Sequence, residues 1–465
     1  MDTLASSCLQ PNNNLSLPRI GFHYFPDTLH YREKDLQYWL TILKDLCASW
    51  LVLPSSADRA IPEYFIRTLQ DAKIEPIIQF NLSLASFPEL TELDPLISAY
   101  AHWGIRWIIW YDRPNSKSSW PSPSWAQNDI VERYLDRLIP LIQLESQYDL
   151  ARILPPLEPG GSYWDTAFLR ATLESLIRRK QFNFLEDIAL SAYAWTFNHP
   201  IYWGYGGPSF WPDAHPYHND PNQQDQRGFH IYDWYNAIVE SILGKTVPIL
   251  LLGLGVPSDP LNDSLSYPSQ EDQAQISLAI ARLLADEPAT EPGQPDITLA
   301  PMPENILAGC FWALCAGSEH PARILAWFQE DGKESLSSQA LKGWINQPHP
   351  DKPEQITADY PFRKDFYEPK SMPPERHPIR HYLLLPTYEW GIADWHLNII
   401  RPFVNKYKPT IGYSITEASL ASRVTVIGDE QVFPEDTLQN LRQNGTTVER
   451  ICGNGTNIAS LLSER

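Results

Sequence analysis

Two carboxyl residues, Asp112 and Glu158, follow short apolar runs that break into polar sequence. Residues 105–115 read Ile-Arg-Trp-Ile-Ile-Trp-Tyr-Asp-Arg-Pro-Asn, and residues 151–160 read Ala-Arg-Ile-Leu-Pro-Pro-Leu-Glu-Pro-Gly. A buried parallel strand ends in this way when it delivers polar side chains to the mouth of a barrel. A carboxyl group in that position can donate or accept a proton during a reaction. We therefore take Asp112 and Glu158 as the candidate catalytic residues.

The elements that must position them alternate between β-prone apolar runs and amphipathic helices. This alternation predicts an α/β fold, a parallel (β/α)8 TIM barrel. No Gly-x-Gly-x-x-Gly follows the first strand, which argues against an open dinucleotide-binding sheet. The predicted strands are 20–25, 50–54, 76–82, 105–115, 151–160, 187–193, 247–256 and 306–316, and the predicted helices are 34–47, 61–73, 90–103, 130–144, 166–180, 231–243 and 270–285.

Composition divides the chain into four parts. A polar N-terminal arm (1–18) precedes the barrel (19–342), and a linker rich in proline and charge (343–378) follows it. Residues 379–465 return to alternation and predict a small C-terminal α/β domain. Its predicted strands are 381–386, 423–428 and 446–451, and its predicted helices are 395–406 and 434–444.

Charge and composition exclude several classes of partner. The 465-residue chain carries a formal net charge of −20, so nucleic acid and anionic lipid are not expected partners. No stretch of apolar residues is long enough for a membrane span. The N-terminus lacks a signal peptide, which predicts a cytoplasmic protein as written, while a different start site would allow the cell surface. The oligomeric state stays open.

The five cysteines are scattered and form no Cys-x-x-Cys pair. This pattern predicts reduced thiols, no zinc site and no cofactor. A second possible metal cluster, His215 and His218 with Asp213 and Asp220, lies in a proline-rich loop without helical spacing. We do not expect it to bind metal.

Four segments together resemble the clan of retaining (β/α)8 glycoside hydrolases whose acid/base strand reads Trp-x-x-Trp-Asn-Glu-Pro-Asn. The nearest branch is that of the β-xylosidases and α-iduronidases, and the match covers roughly residues 18–330. The matching segments are Gly104–Trp110 followed by Trp120, Asp187–Tyr193, Val247–Val256 and Ala308–Leu314.

The resemblance implies roles that this chain does not fully supply. Asp112 stands at the acid/base position, and Gly253 stands at the nucleophile position. A retaining mechanism needs two carboxyl groups about 5–5.5 Å apart, and glycine offers none. The first hypothesis is therefore a catalytically degenerate barrel that binds a carbohydrate. The alternatives are an active O-glycosyl hydrolase that uses Asp112 with Glu158, about 6.5–9.5 Å apart, and a non-catalytic scaffold.

Aromatic and polar residues near the strand ends are the candidates for contacting such a carbohydrate. Sugar rings present C–H faces that stack on aromatic side chains, and the loop 202–235 is dense in them. The alternative is that this loop only packs on the barrel rim. The predicted substrate-binding residues are His23, Tyr24, Trp110, Tyr111, Asn115, Tyr193, Trp203, Trp211 and Trp312.

The C-terminal domain has a resemblance of its own. Residues 423–432, 438–442 and 448–453 resemble the cell-wall-binding repeat of the second type, whose pattern is Val-x-Val-x-Gly-Gly, an amphipathic helix and Val-x-Arg-Ile-x-Gly. In this chain Gly428-Asp429 replaces the Gly-Gly. The resemblance implies wall binding, and a purely structural α/β appendage is the alternative.

Overall fold

The computed structural model describes most of the chain in two compact units. One unit combines residues 1–121 and 131–361, and the other combines 122–130 and 362–465. The predicted N-terminal arm and most of the predicted linker lie outside the described residues. The described residues are 19–121, 125, 129–214, 223–257, 267–347, 377, 379–386, 394–407, 409–453 and 455–463.

The first unit alternates strands and helices as the sequence predicts. Its strands are β1 (Ile20–His23), β2 (Trp50–Ser55), β3 (Glu75–Phe80), β4 (Trp107–Ile109), β5 (Arg152–Leu154), β6 (Ile188–Trp195), β7 (Ile249–Gly255), β8 (Ala289–Glu291), β9 (Gln294–Leu299) and β10 (Ile306–Phe311). Its helices are α1 (Glu33–Asp45), α2 (Glu63–Asp71), α3 (Leu90–His102), α4 (Ile130–Glu145), α5 (Asp165–Arg178), α6 (Phe182–Glu186), α7 (Ile231–Leu243), α8 (Gln270–Leu284) and α9 (Leu336–Ile345).

Eight of these strands form one parallel sheet in the order β4-β3-β2-β1-β10-β7-β6-β5. The two end strands meet at a single parallel bridge between Trp107 and Ala151. There the amide of Ala151 donates to the carbonyl of Arg106 over 2.8 Å, which closes the ring. The predicted (β/α)8 barrel is confirmed. The antiparallel hairpin of β8 and β9, which precedes the last barrel strand, was not predicted.

Burial explains why these segments form a barrel. Every residue of β6 and β7 is buried, as expected for parallel strands covered on both faces. Helices present an apolar stripe, such as Leu36, Trp39 and Leu43 of α1. The residues that pack between strands inside the ring include Val52, Ile77, Ile109, Ile153, Ala189, Leu250, Leu252 and Ala308.

The C-terminal unit is a four-stranded, fully parallel α/β sheet in the order β12-β11-β13-β14. It agrees with the predicted small α/β domain, although β12, α11 and α13 were not predicted. Its resemblance to a wall-binding repeat stays a prediction. The strands are β11 (Tyr382–Leu384), β12 (Thr410–Gly412), β13 (Arg423–Ile427) and β14 (Thr447–Ile451), and the helices are α10 (Asp394–Tyr407), α11 (Ile415–Ala418), α12 (Glu435–Gln443) and α13 (Gly455–Ser463).

The cysteines differ in state. Cys310 and Cys315 are buried free thiols, and Cys452 is an exposed free thiol. Cys47 is disulfide-bonded, so the expectation of reduced cysteines is wrong for this residue. Across the part of the chain that the structure describes, no helix combines the length and apolar character needed to span a bilayer.

Candidate functional site

A cavity of about 380 Å³ opens where the barrel strands end. It lies at the carboxyl ends of the strands, where barrel proteins place their functional residues. The strand ends supply side chains of mixed chemistry, including aromatic rings, amides, two histidines and one ion pair. Its lining is His23, Phe25, Pro26, Pro54, Gln79, Asn81, Asp112, Arg113, Tyr193, Trp195, Leu252, Gly253, Trp312 and His320.

Asp112 is held by two donors. The hydroxyl of Tyr193 donates to its Oδ1 over 2.5 Å, and Nε of Arg113 donates to its Oδ2 over 2.9 Å. Arg113 has a left-handed backbone with φ of 47°, and its amide donates to the carbonyl of Pro156 over 3.0 Å. This uncommon conformation sets the guanidinium beside the neighbouring carboxylate. The negative charge of Asp112 is thus compensated by the next residue in the chain.

Tyr193 connects this pair to the rest of the cavity wall. Its phenol hydrogen-bonds Gln79 as well as Asp112. Burial, followed by the charge of Asp112, raises the pKa of Tyr193 well above its ordinary value. The phenol therefore stays protonated and acts as a hydrogen-bond donor to the carboxylate.

The floor of the cavity beside Gly253 is filled by aromatic rings. Tyr193 and Trp195 stack with ring centroids 4.4 Å apart and planes 9° apart. A Cβ atom built on Gly253 lies 2.7 Å from Nε1 of Trp195 and 2.8 Å from Cδ1 of Tyr193. Both distances are far below van der Waals contact. No side chain fits at position 253 unless this stack moves.

His23 is a neutral wall residue. Its Nε2 hydrogen-bonds the carbonyl of Leu252, and because a carbonyl only accepts, the proton lies on Nε2. Burial lowers the pKa of His23 to about 4, so the ring is uncharged at neutral pH. Trp312 lies between His23 and His320, with ring centroids 5.5 Å from each.

Six of the predicted substrate-binding residues lie outside the cavity lining, and three of these, Tyr24, Trp110 and Tyr111, are buried. The hydroxyl of Tyr24 donates to the carbonyl of His30 over 2.9 Å. Trp110 is fully buried and donates from Nε1 to Glu145 over 2.7 Å. Tyr111 is also fully buried. Their surroundings are those of core residues.

Asn115 joins the segment after β4 to the segment after β5. Its Nδ2 donates to the carbonyls of Glu158 and Tyr163, each over 2.9 Å, and its Oδ1 accepts from the amide of Glu158 over 2.8 Å. Glu158 is 6% exposed and is not part of the cavity lining described above. The structure therefore brings the backbone of Glu158, rather than a carboxylate in the cavity, into contact with the segment that carries Asp112.

The two predicted tryptophans of the aromatic loop pack against that loop and the residues just before it. Trp203 stacks on His199 at 3.9 Å and donates to Asp225 over 3.2 Å. Trp211 donates from Nε1 to the carbonyl of Tyr205 over 2.9 Å. Positions 215–222, with the two histidines considered for metal, lie outside the described residues. Within the described part, no three metal-ligating side chains form a group.

Of the predicted residues, the cavity brings together His23, Asp112, Tyr193 and Trp312. Sequence reasoning missed several of their neighbours, although strand alternation gave a signal for some of them. Gln79 and Asn81 share one face of the third strand, and Trp195 lies two residues after Tyr193. The missed lining residues with polar or aromatic side chains are Phe25, Gln79, Asn81, Arg113, Trp195 and His320.

Comparisons with known proteins give structural neighbours only. No family model matches the chain. No curated protein matches it either. The similar solved structures include a family 39 glycoside hydrolase from the gut symbiont Bacteroides cellulosilyticus WH2, at 13% identity and a TM-score of 0.45, covering 70% of this chain. This chain spans 62% of the length of that protein.

Two further neighbours are glycosidases by name. A monomeric β-xylosidase from Caulobacter crescentus CB15 has 12% identity and a TM-score of 0.42, with 71% of this chain and 69% of that chain covered. A GH5_18 protein from Bifidobacterium longum subsp. infantis has 12% identity and a TM-score of 0.41, with 95% and 99% covered. The assignment of the barrel rests on its strand order and closing bridge rather than on these similarities.

Proposed function

We propose that the protein binds a carbohydrate at the mouth of its barrel and does not hydrolyse it by the retaining two-carboxylate mechanism. The observation that carries this proposal is the packing at Gly253, where Trp195 and Tyr193 leave no space for a nucleophilic side chain. A retaining glycosidase needs a carboxylate on each side of the bond that it breaks. Asp112 is the only carboxyl residue among the described residues that line the cavity.

The chemistry of the cavity supports sugar binding. Trp312 offers a flat apolar face, which suits the C–H face of a pyranose ring. Gln79, Asn81 and Asp112 offer polar groups to its hydroxyls. The volume of about 380 Å³ lies in the range of roughly 300–1,000 Å³ that small-molecule pockets occupy. A few polar groups on an apolar wall are the usual composition of such a site.

An active O-glycosyl hydrolase that uses Asp112 with Glu158 has less support. An acid catalyst must deliver a proton, whereas Asp112 accepts hydrogen bonds on both oxygens and pairs with the Arg113 guanidinium. Glu158 lies outside the described cavity lining. A non-catalytic scaffold without any ligand would leave the cavity chemistry unexplained.

The test separates the three hypotheses with two measurements. A panel of aryl glycosides is assayed for turnover with the wild type and with Asp112→Ala, and an array of neutral and charged glycans is screened with the wild type, Trp312→Ala and Phe182→Ala. We expect no turnover, and binding that is lost in Trp312→Ala and kept in the control variant, whose side chain is 58% exposed. Turnover that disappears in Asp112→Ala would establish a hydrolase. If no glycan binds and no turnover occurs, the non-catalytic scaffold is the hypothesis that remains.

A further inference from the structure

The indole of Trp195 lies beside Gly253, the position that the resemblance assigns to the nucleophile. The Cβ direction of Gly253 leads within 2.7 Å to Nε1 of Trp195, and an indole N–H can donate but cannot accept a hydrogen bond. A nucleophilic carboxylate carries a negative charge and only accepts. At this position the protein therefore has a nitrogen that can only donate a hydrogen bond, where hydrolysis requires a carboxylate.

The negative charge of Asp112, the only carboxylate in the described cavity lining, is compensated by a neighbouring cation. Arg113 forms an ion pair with Asp112, with both side chains 23% exposed. His23 adds no charge, because burial lowers its pKa to about 4. A carboxylate has about four lone-pair directions. Since Tyr193 and Arg113 occupy two of them, about two stay available for sugar hydroxyls.

We infer that the cavity is a receptor for a neutral sugar in its ground state and that it discriminates against cationic sugar analogues. The inference rests on the proposed function, since it presumes that a sugar binds at this site. The transition state of glycoside hydrolysis carries positive charge on the ring, so a hydrolysing site binds cationic analogues more tightly than sugars. Here a ring cation meets the Trp195 N–H and the Arg113 guanidinium, and its only anionic neighbour in the described lining is already paired.

The test compares matched pairs of ligands that differ in ring charge. Methyl gluco-, galacto-, manno- and xylopyranosides are titrated against their 1,5-imino counterparts by calorimetry or ligand-observed NMR, at a pH that protonates the ring amine. The corresponding neutral 1,5-anhydro sugars, which also lack the anomeric methoxy group, and the neutral lactams separate the effect of charge from the effects of that group and of ring shape. We expect the imino sugar to bind at least about tenfold more weakly than its glycoside, equivalent to about 1.4 kcal/mol.

Two variants test the cause. Arg113→Gln removes the positive charge and should raise the affinity for the imino sugar relative to its glycoside. Trp195→Phe removes the N–H and keeps an aromatic ring. It should also reduce the difference in affinity between the glycoside and its imino counterpart. Trp103→Phe, outside the described cavity lining, is the matched control and should leave the affinity ratio unchanged. The ratio, rather than either affinity, is the readout, because a partly unfolded variant lowers both affinities together.

The outcomes are distinct. If neither glycosides nor imino sugars bind, the proposed function fails and this inference fails with it. If a glycoside binds and its imino counterpart binds equally or more tightly, the protein is still a sugar binder and only the inference is overturned. A ratio that stays constant in both Arg113→Gln and Trp195→Phe would also overturn it, since the stated groups would not be its cause.

Discussion

The packing at Gly253 predicts a coupling with Trp195 that stability measurements can detect. In Gly253→Ala the new methyl group would lie 2.7 Å from Nε1 of Trp195 and 2.8 Å from Cδ1 of Tyr193. The ring of Tyr193 is anchored by its hydrogen bond to Asp112, so the stack cannot move at low cost. Overpacking of this kind costs about 1–3 kcal/mol, and removing a large buried ring, as in Trp195→Ala, costs about 3–5 kcal/mol.

The double variant Gly253→Ala with Trp195→Ala should cost less than the sum of the two single changes. Removing the indole relieves the contact with Nε1 and gives the Tyr193 ring room to shift away from the methyl group, so the coupling energy should be about 1–3 kcal/mol. Urea unfolding followed by circular dichroism measures all four free energies of unfolding in this cycle. Gly343→Ala is the control, because a Cβ there meets nothing within 4 Å and alanine favours a helix by up to about 1 kcal/mol. An additive cycle would refute the packing argument.

Two further predictions concern stability away from the cavity. Burial raises the pKa of Glu291 from 4.5 to about 7, so its contribution to the free energy of unfolding is present below pH 4.5 and is lost as the pH rises through 7. Glu291→Gln should remove up to about 3 kcal/mol of this pH dependence, as measured by urea unfolding at both ends of the range. An unchanged pH profile of the free energy of unfolding would contradict the assignment. Asn115→Ala should lower the free energy of unfolding by about 2–3 kcal/mol, because the backbone groups of Glu158 and the carbonyl of Tyr163 lose their buried partner. A decrease in melting temperature smaller than that of the exposed control Phe182→Ala would contradict a stabilising role for these hydrogen bonds.

The barrel could be predicted because its strands have a strong local signal. Strands such as β6 and β7 are buried on both faces, so they read as continuous apolar runs. The hairpin β8–β9 gave no such signal, because Pro292, Gly293 and Pro295 interrupt it and five of its nine strand residues are exposed or only half-buried. Helix α9 was missed inside a segment rich in serine and charge.

The candidate site could be predicted only in part. Asp112 and Tyr193 follow from their places at strand ends. Their contact with Arg113 depends on a left-handed backbone at a residue that rarely adopts it, and sequence gives no sign of that conformation. The blocked space at Gly253 depends on how the Trp195 ring is oriented, which is a property of three-dimensional packing.

Because a single bridge joins β4 to β5, this junction has the fewest hydrogen bonds between neighbouring strands of the barrel. Above that bridge, Arg113 and Asn115 replace the missing backbone ladder with their own hydrogen bonds to the segment after β5. A ligand bound to Asp112, in the segment after β4, would therefore also stabilise the β4–β5 junction. Amide hydrogen exchange at Ala151 and Arg113 should slow when a ligand occupies the cavity. Local opening of the β4–β5 junction and ligand binding would then be thermodynamically linked.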